Sequence, residues 1–290
     1  MSGIDLHFGR TPSALLYMAG AFVPKRSPRD LPQGSAMTAI WRGARPGGLL
    51  PAGAALPGNR IHPVHLHASG MRLMMAILTH PRFPVPIWKV LQVRNHIRQI
   101  RAVDCAASLH LSARVEAFRR LPKGMEADLE LTVRDDRGEV LRSRSTFYTR
   151  GTFAGAPETA SPTPPEQPTE PAASWRIDRA GVGPFARLTG DYNGIHWCRP
   201  YARALGFRSP FAHPHRALAE VVDHLPGVDP AQPLEIDAWY RGPVYYGLRL
   251  SLLTADRRAT RVFALLVEGD DRPALLGEVR SRPAPGLASG

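Results

Sequence analysis

The chain has 290 residues, 43% of them hydrophobic and 21% charged, a composition that is typical of a globular protein of two domains and excludes a disordered or fibrous one. Its 37 lysines and arginines exceed its 25 aspartates and glutamates, so the formal net charge is +12 and the surface favours anionic partners. The sequence contains no zinc-finger spacing, no basic helix with heptads and no aromatic RNA-binding strand, so we expect no specific nucleic-acid partner.

The first predicted element is the apolar stretch from Ala14 to Val23. It is much shorter than the roughly 20 residues that a membrane span requires, and only Arg10 precedes it, so it does not have the form of a secretory signal. We expect a core element, no contact with a membrane and a cytoplasmic location.

A histidine-rich segment, HPVHLH, carries His62, His65 and His67 and precedes a predicted helix from Ala68 to His80. No cysteine or carboxylate accompanies these histidines, so we interpret them as solvent-facing or capping residues and predict no metal site. The helix has an apolar side and ends before Pro81.

Four antiparallel strands are predicted after this helix, because the segments are rich in alternating and β-branched residues. They are Trp88 to Ile100, Ala107 to Phe118, Met125 to Val133 and Val140 to Thr149, with Asp135 to Gly138 as the turn of the last hairpin.

A proline-rich segment, 155–173, separates the two halves and contains no aromatic or large aliphatic residue. Its prolines favour an extended, semi-rigid spacer. We therefore predict one domain over residues 1–154, a linker over 155–173 and a second domain over 174–290.

The second half repeats the order of elements. The predicted elements are a strand from Ser174 to Ile177, a loop-rich stretch, a helix from about His215 to Leu225, and strands at Leu234 to Tyr240, Leu248 to Ala255, Arg261 to Glu268 and Leu275 to Arg280. One helix followed by several strands, seen twice, predicts an α+β fold in which an antiparallel sheet wraps a helix in each half.

The most informative segment of the second half has the pattern G-D-x-N-x-x-H, with Gly190, Asp191, Asn193 and His196. In one short loop it brings together a carboxylate, an amide and an imidazole, which are suited to proton transfer around a single water. Taken alone the pattern is weak, because Asp and Asn also form turns through their own backbone. Nearby Cys198 is interpreted as an idle thiol, and both cysteines of the chain are expected to be reduced.

The motif resembles the signature of the MaoC-like, R-specific enoyl-CoA hydratases, in which G-D-x-N-P-aliphatic-H is followed by Tyr-Ala and Gly-Phe. The later elements that match are Tyr201-Ala202, Gly206-Phe207, Pro210-Phe211-Ala212-His213 and WYRGPVYYG from Trp239 to Gly247. The resemblance covers the chain after the linker, and the first half matches only in plan.

This resemblance implies a hot-dog fold, a long helix cradled by an antiparallel sheet, present twice in tandem and packed as a pseudo-dimer. The first half lacks the G-D-x-N-x-x-H motif, so it would be the degenerate domain and the second half the catalytic one. A homodimer of such pseudo-dimers is a further expectation.

The resemblance also implies the reaction, which is hydration of a trans-2-enoyl thioester or dehydration of an R-3-hydroxyacyl thioester. Asp191 and His196 would hold the water and transfer the protons, and Asn193 and Gly190 would support the loop. The expected partner is an acyl-CoA or acyl-carrier thioester, and coenzyme A enters only as part of the substrate, with no other cofactor.

Two positions depart from the family pattern. Gly194 stands where the family has proline, and Pro214 stands where it usually has glycine. Since proline has no N–H, an oxyanion donor would be missing there. We therefore consider the start of the central helix, His213 and His215 with the N–H groups of His215 or Arg216, as the candidate oxyanion site.

Two sets of residues are further candidates for substrate contacts. Arg199, Arg203 and Tyr192, with Arg94, Arg98 and Arg101 on a predicted strand, are candidates for the phosphates of coenzyme A, although a solvated charged face explains the arginines equally well. Met71, Met74 and Met75 are interpreted as core residues, with an adaptable wall for an acyl chain as the alternative.

Two other functions stay open. A non-catalytic acyl-CoA-binding protein is favoured by Pro214 and the degenerate first half, and a thioesterase is favoured by Glu220, a carboxylate on the predicted central helix. The sequence does not distinguish the acyl chain, the carrier or the direction of the reaction.

Overall fold

Eleven strands form one sheet that runs through both halves of the chain. The structure is a computed structural model and describes residues 4–21, 37–154 and 161–281. The elements of the first half are β1 (Ile4–Phe8), α1 (Ala14–Ala21), β2 (Met37–Ala44), β3 (Ala55–Leu56), β4 (Arg60–Ile61), α2 (Pro63–Ser69), α3 (Met71–Thr79), β5 (Val90–Gln99), β6 (Leu109–Leu121), β7 (Gly124–Asp135) and β8 (Gly138–Arg150).

The second half contributes the remaining elements. They are β9 (Glu170–Arg176), α4 (Val182–Thr189), α5 (Arg199–Ala204), α6 (Pro214–His224), β10 (Leu234–Tyr240), β11 (Arg249–Arg257), β12 (Thr260–Val267) and β13 (Leu275–Ser281). Strand β9 begins inside the segment predicted as linker, and residues 155–160 of that segment lie outside the described residues.

The order of strands in the sheet is mirrored about its centre. It is β1-β2-β6-β7-β8-β5-β10-β13-β12-β11-β9, and β3 and β4 form a separate pair. Each half therefore places its first strand after the central helix, β5 or β10, at the junction, and the strand before that helix, β2 or β9, toward the outer edge. The halves join through antiparallel pairing of β5 with β10, with Ile97 opposite Ile236.

The α+β prediction and the nine predicted strands are confirmed as β5 to β13, with bounds that shift by a few residues. Strands β1 and β2 were not predicted, although buried residues alternate with partly buried ones along most of β2. Helices α4 and α5 lie in the stretch that was predicted to be loop-rich. Gly183 and Pro184 weaken the sequence signal for helix α4, since both residues are poor helix formers.

The single helix predicted from Ala68 to His80 is in fact two helices, α2 and α3, joined at Gly70. A Cβ at Gly70 would lie 2.3 Å from Leu131 Cδ2 of β7, so only glycine allows this approach of the helices to the sheet. The earlier start of α2 also overturns a prediction, because His65 and His67 lie inside the helix and are buried rather than solvent-facing. His62 caps α2 as predicted, its ring accepting from the Val64 N–H at 3.1 Å.

Helices α2 and α6 pack against each other in the middle of the molecule, and apolar residues of both halves form one contiguous core. Met71 and Met74 are buried in this core and Met75 packs against it, which confirms their interpretation as packing residues. No helix among the described residues is long and apolar enough to cross a membrane.

Candidate active site

The G-D-x-N-x-x-H segment begins where helix α4 ends. Gly190 has a φ of 73° and its N–H donates to the Ala186 carbonyl at 2.8 Å, a left-handed helix end that favours glycine. The chain then turns so that the Asp191 side chain faces into the protein, with 17% of that side chain exposed.

Two imidazoles face the carboxylate of Asp191. Its Oδ2 lies 3.7 Å from His196 Nε2 and 3.3 Å from His213 Nε2. Both histidines are buried, and their ring centroids are 5.2 Å apart. His196 comes from the same loop, whereas His213 caps the central helix α6.

The tautomer of each histidine follows from its second ring nitrogen. His196 Nδ1 lies 3.0 Å from the Phe211 carbonyl, which can only accept, so Nδ1 carries the proton and Nε2 is a hydrogen-bond acceptor when the ring is neutral. His213 Nδ1 accepts from the His215 N–H at 3.3 Å. Its Nε2 therefore carries a proton and donates toward Asp191.

The surroundings of Asp191 favour its ionised form. Burial would raise the pKa of this carboxyl, but its interactions with the two neighbouring imidazoles, His196 and His213, hold it well below its usual range. Burial also lowers the pKa of His213, against the opposing effect of Asp191. The site thus combines a carboxylate with two imidazoles, an arrangement suited to accepting and returning a proton.

Asp191, His196 and His213 also have the composition of a divalent-metal triad, since their candidate ligand atoms lie within 4.8 Å of one another. A histidine ligand must present an unprotonated nitrogen to the metal. The N-cap contact of His213 instead places a proton on the nitrogen that faces Asp191. This geometry favours a hydrogen-bond donor over a metal ligand at His213.

Two cavities adjoin these side chains. A small one of about 10 Å³ is lined by Asp191, His196, His213 and Tyr246 among others, and is close to the roughly 10–15 Å³ that one water needs. A larger one of about 520 Å³ shares the wall residues Gly181, Phe185 and Arg216 with it. Together the cavities offer room for one water beside a larger molecule.

The supporting residues of the motif act through the backbone. The Asn193 side chain is exposed and accepts from the Ile195 N–H at 3.2 Å, while its own N–H donates to Asp191 Oδ1 at 2.9 Å. Asn193 therefore shapes the loop and fixes one carboxylate oxygen. At Gly194, a Cβ would lie 2.7 Å from the Tyr201 ring, so the glycine in place of the family's proline allows close packing here.

The predicted oxyanion donors at the start of α6 are already engaged. The His215 N–H donates to His213 Nδ1 at 3.3 Å and the Arg216 N–H donates to the His213 carbonyl at 2.9 Å. Neither N–H group is free to receive a developing negative charge in this structure. The geometry therefore does not support the predicted oxyanion role of His215, and it places His213 beside Asp191 instead.

Tyr246 is a donor that the sequence reasoning missed. Tyr246 lines the small cavity with Asp191 and His196, and burial raises its pKa to about 12, so the hydroxyl keeps its proton at neutral pH. The only sequence signal is its place in the Trp239 to Gly247 segment.

The candidate phosphate contacts separate into two groups. Arg199, Arg203 and Tyr192 are exposed beside the loop of Asp191. The arginines of β5 are engaged elsewhere, because Arg94 is buried against Thr146, Arg98 lies 3.5 Å from Glu235 and Arg101 pairs with Asp135. The first group alone remains available to an anion.

Glu220, the candidate thioesterase carboxylate, lies on α6 and lines the larger cavity. It accepts hydrogen bonds from Trp175 Nε1 at 2.8 Å and Arg216 Nε at 3.1 Å. Burial raises its pKa, against these contacts. Glu220 is therefore held by two donors and does not line the small cavity of Asp191.

Comparison with known proteins first defines the class of fold. A crystal structure of HtdX from Mycobacterium tuberculosis superposes with a TM-score of 0.69 and 21% identity, covering 85% of this chain and all of that one. A MaoC-like dehydratase from Phytophthora capsici superposes with a TM-score of 0.63 and 17% identity, covering 86% of this chain and 94% of the other. The chain has the α+β hot-dog fold of these proteins.

A sequence relative then supports the family. The 3-hydroxyacyl-thioester dehydratase X of M. tuberculosis is 27% identical over 158 residues, 54% of this chain and 56% of the relative, so the alignment spans little more than half the relative's length. No family model matches the chain. The predicted resemblance to the MaoC-like dehydratases is confirmed by these relationships.

Proposed function

We propose that the protein is a hydro-lyase that hydrates trans-2-enoyl thioesters and, in reverse, dehydrates R-3-hydroxyacyl thioesters, with Asp191 and His196 as the reacting pair. The observation that carries this proposal is the partly buried Asp191 carboxylate facing the Nε2 atoms of His196 and His213 at 3.7 and 3.3 Å, beside a cavity of about 10 Å³. The dehydratase name of the sequence relative supports it.

In the proposed hydration, the water oxygen attacks the β-carbon of the enoyl group. The new C–O bond forms while the double-bond electrons move toward the thioester carbonyl, which becomes an enolate. His196 Nε2 accepts the proton that leaves the water, and the Asp191 carboxylate stabilises the resulting imidazolium. The imidazolium then gives the proton to the α-carbon, so one water is added and both side chains return to their starting states.

The enolate oxygen requires a hydrogen-bond donor. Because Pro214 has no N–H and the next two N–H groups are engaged in the helix cap, we assign this role to the Tyr246 hydroxyl. Its proton is retained, since burial raises its pKa to about 12.

The carrier of the acyl group is proposed to be coenzyme A or an acyl-carrier thioester. The net charge of +12 and the exposed Arg199 and Arg203 beside Tyr192 support an anionic carrier. The cavity of about 520 Å³ next to the small one offers space for the acyl group near Phe185.

The architecture is proposed to be two tandem hot-dog folds packed as a pseudo-dimer, with the boundary in residues 155–173. The mirrored strand order and the packing of α2 against α6 support this arrangement. The first half would be the degenerate domain, and association of two chains stays a prediction.

The decisive experiment compares Asp191→Asn and His196→Ala with the wild type on a short enoyl thioester, following the loss of the conjugated double bond. Each change should lower kcat by about 10² to 10⁴ because a proton-transfer group is lost. Asp256→Asn is the matched control, since this carboxylate lies on β11, pairs with Arg261 and lines neither cavity. Wild-type rates in both test variants would refute the assignment.

The same assay separates the two alternatives. Acyl-CoA binding without hydration of any linear or branched substrate would identify a non-catalytic binding protein, which the engaged N–H groups of His215 and Arg216 favour. Release of free thiol that is abolished by Glu220→Ala would identify a thioesterase.

A further inference from the structure

A buried arginine of the first half reaches the helix that leads into the Asp191 loop. Arg72 lies on α3 with 5% of its surface exposed. Its guanidinium donates to the carbonyls of Leu188 at 3.2 Å and of Arg187, both in the last turn of α4. A third hydrogen bond, at 2.8 Å, joins it to the Pro12 carbonyl.

These contacts satisfy groups that the helix itself leaves unpaired. The last four carbonyls of a helix have no partner within it, and a cation near that end is favoured by the helix dipole. The guanidinium supplies several donors in a rigid fork, so one side chain can hold two successive carbonyls. Among the described residues, the hydrogen-bond partners of the Arg72 guanidinium are backbone oxygens.

Arg72 also packs against the glycine of the catalytic motif. A Cβ at Gly190 would lie 3.1 Å from Arg72 Cγ, and Gly190 already has a φ of 73°. Asp191 follows directly in the chain. The Arg72 side chain therefore packs beside Gly190, the residue immediately before Asp191.

We infer that Arg72 is a positioning residue through which the first half fixes the Asp191 loop. This inference rests on the proposed function for its effect on turnover, whereas the loop contact itself can be tested without turnover. Arg72 acts through the backbone of residues 187–190 and does not touch the reacting atoms. The first half thus has a role in catalysis although it lacks the motif.

The main test is a double-mutant comparison. Arg72→Met should lower kcat by about 10²-fold, the loss expected when a catalytic group is displaced by about 1 Å, with little change in KM. In an Asp191→Asn background the same change should cause little further loss, because the residue that Arg72 positions no longer reacts. Arg72→Lys, which retains the charge without the fork, should restore part of the turnover.

Stability must be separated from positioning. Ile77→Ala, in the same helix and buried in the core, serves as the control that destabilises the protein while leaving kcat per folded molecule unchanged. If Arg72→Met lowers turnover equally in the wild-type and Asp191→Asn backgrounds, Arg72 has only a structural role and the inference is wrong.

Hydrogen exchange provides a readout that does not depend on activity. The Gly190 N–H, which donates to the Ala186 carbonyl, should exchange faster in Arg72→Met than in Ile77→Ala, whereas amides of α2 should be equally protected in both. Unchanged exchange at Gly190 would overturn the inference. A wild type that hydrates no enoyl thioester would refute the proposed function alone, and the exchange result would still decide the role of Arg72.

Discussion

The central helices of the two halves begin in the same way, but the aspartates that face their capping histidines have pKa values shifted in opposite directions. Both α2 and α6 start with His-Pro, and the Nδ1 atom of His62 or His213 accepts the N–H two residues further on, at 3.1 and 3.3 Å. In each case Nε2 faces an aspartate. The distance is 3.5 Å from His62 to Asp223 and 3.3 Å from His213 to Asp191.

The two aspartates differ in pKa because their other neighbours differ. Two imidazoles hold the pKa of Asp191 well below its usual range despite burial. Burial raises the pKa of Asp223 to about 6, and Glu220 adds to this shift. Burial likewise lowers the pKa of His62 well below its usual value. A capping histidine that faces an aspartate therefore does not by itself lower the pKa of that carboxyl. At Asp191 the interactions with His196 and His213 outweigh the effect of burial on the pKa, whereas at Asp223 the charge of His224 does not.

The largest expected effect concerns Tyr246, which lines the small cavity beside Asp191. Both central helices have proline at their first position, so neither offers an N–H there, and we assign the missing donor to Tyr246. Tyr246→Phe should lower kcat by about 10² to 10³, the loss typical of one oxyanion donor. The measurement is steady-state hydration of a short enoyl thioester.

Tyr245→Phe is the matched control, because Tyr245 is the preceding residue and is buried, but it does not line the small cavity with Asp191. Equal rates for the two variants would show that Tyr246 does not serve the enolate.

A smaller effect should distinguish the two capping histidines. Asparagine is a good N-cap residue but does not reach the aspartate, so His213→Asn and His62→Asn should both retain their helix starts. His213→Asn should lower kcat by about 10- to 100-fold, since a hydrogen bond to a charged group contributes about 1.5–3 kcal/mol. His62→Asn should leave turnover of a short substrate unchanged, and urea unfolding should give similar stabilities. A loss of turnover in both variants would remove the distinction between the halves.

The smallest effect is the pH dependence of stability at Asp223. A carboxyl whose pKa is higher in the folded than in the unfolded state binds extra protons when folded, so its contribution is present below about pH 4 and is lost as the pH rises through about 6. As the pH rises across this window, the stability of Asp223→Asn should therefore increase relative to that of the wild type. We expect at most about 1 kcal/mol, because the side chain is 46% exposed and screened by solvent. Denaturant unfolding at several pH values checks it, and a relative gain on acidification would contradict the sign.

The sequence was sufficient for the parts of the fold that depend on local pattern. Strands β5 to β13 have alternating or β-branched residues, and Asp135 to Gly138 has turn chemistry, so each was predicted from a few neighbouring residues. Helix α4 was missed because Gly183 and Pro184 weaken its local signal.

The candidate site was only partly predictable for a different reason. Asp191 and His196 are five residues apart and were found by their motif, whose catalytic role stays a prediction. His213 and Arg72 reach the same loop from other elements, Arg72 across more than 110 residues of sequence. Such contacts depend on the packing of α3 and α6, which no local pattern specifies.

The junction between the two halves also favours pairing of a first half with a second half over pairing of two identical halves. Gln92 of β5 lies 3.0 Å from His215 Nε2, and Asn95 of β5 donates to the Tyr240 hydroxyl at 2.8 Å. Asn95 and His215 are buried, and two copies of one half would leave such groups without these partners, at a cost of about 1–3 kcal/mol for each buried polar group. The junction therefore disfavours association of two first halves or of two second halves. A chain cut within residues 155–160 should reassemble as a one-to-one complex of a first half with a second half.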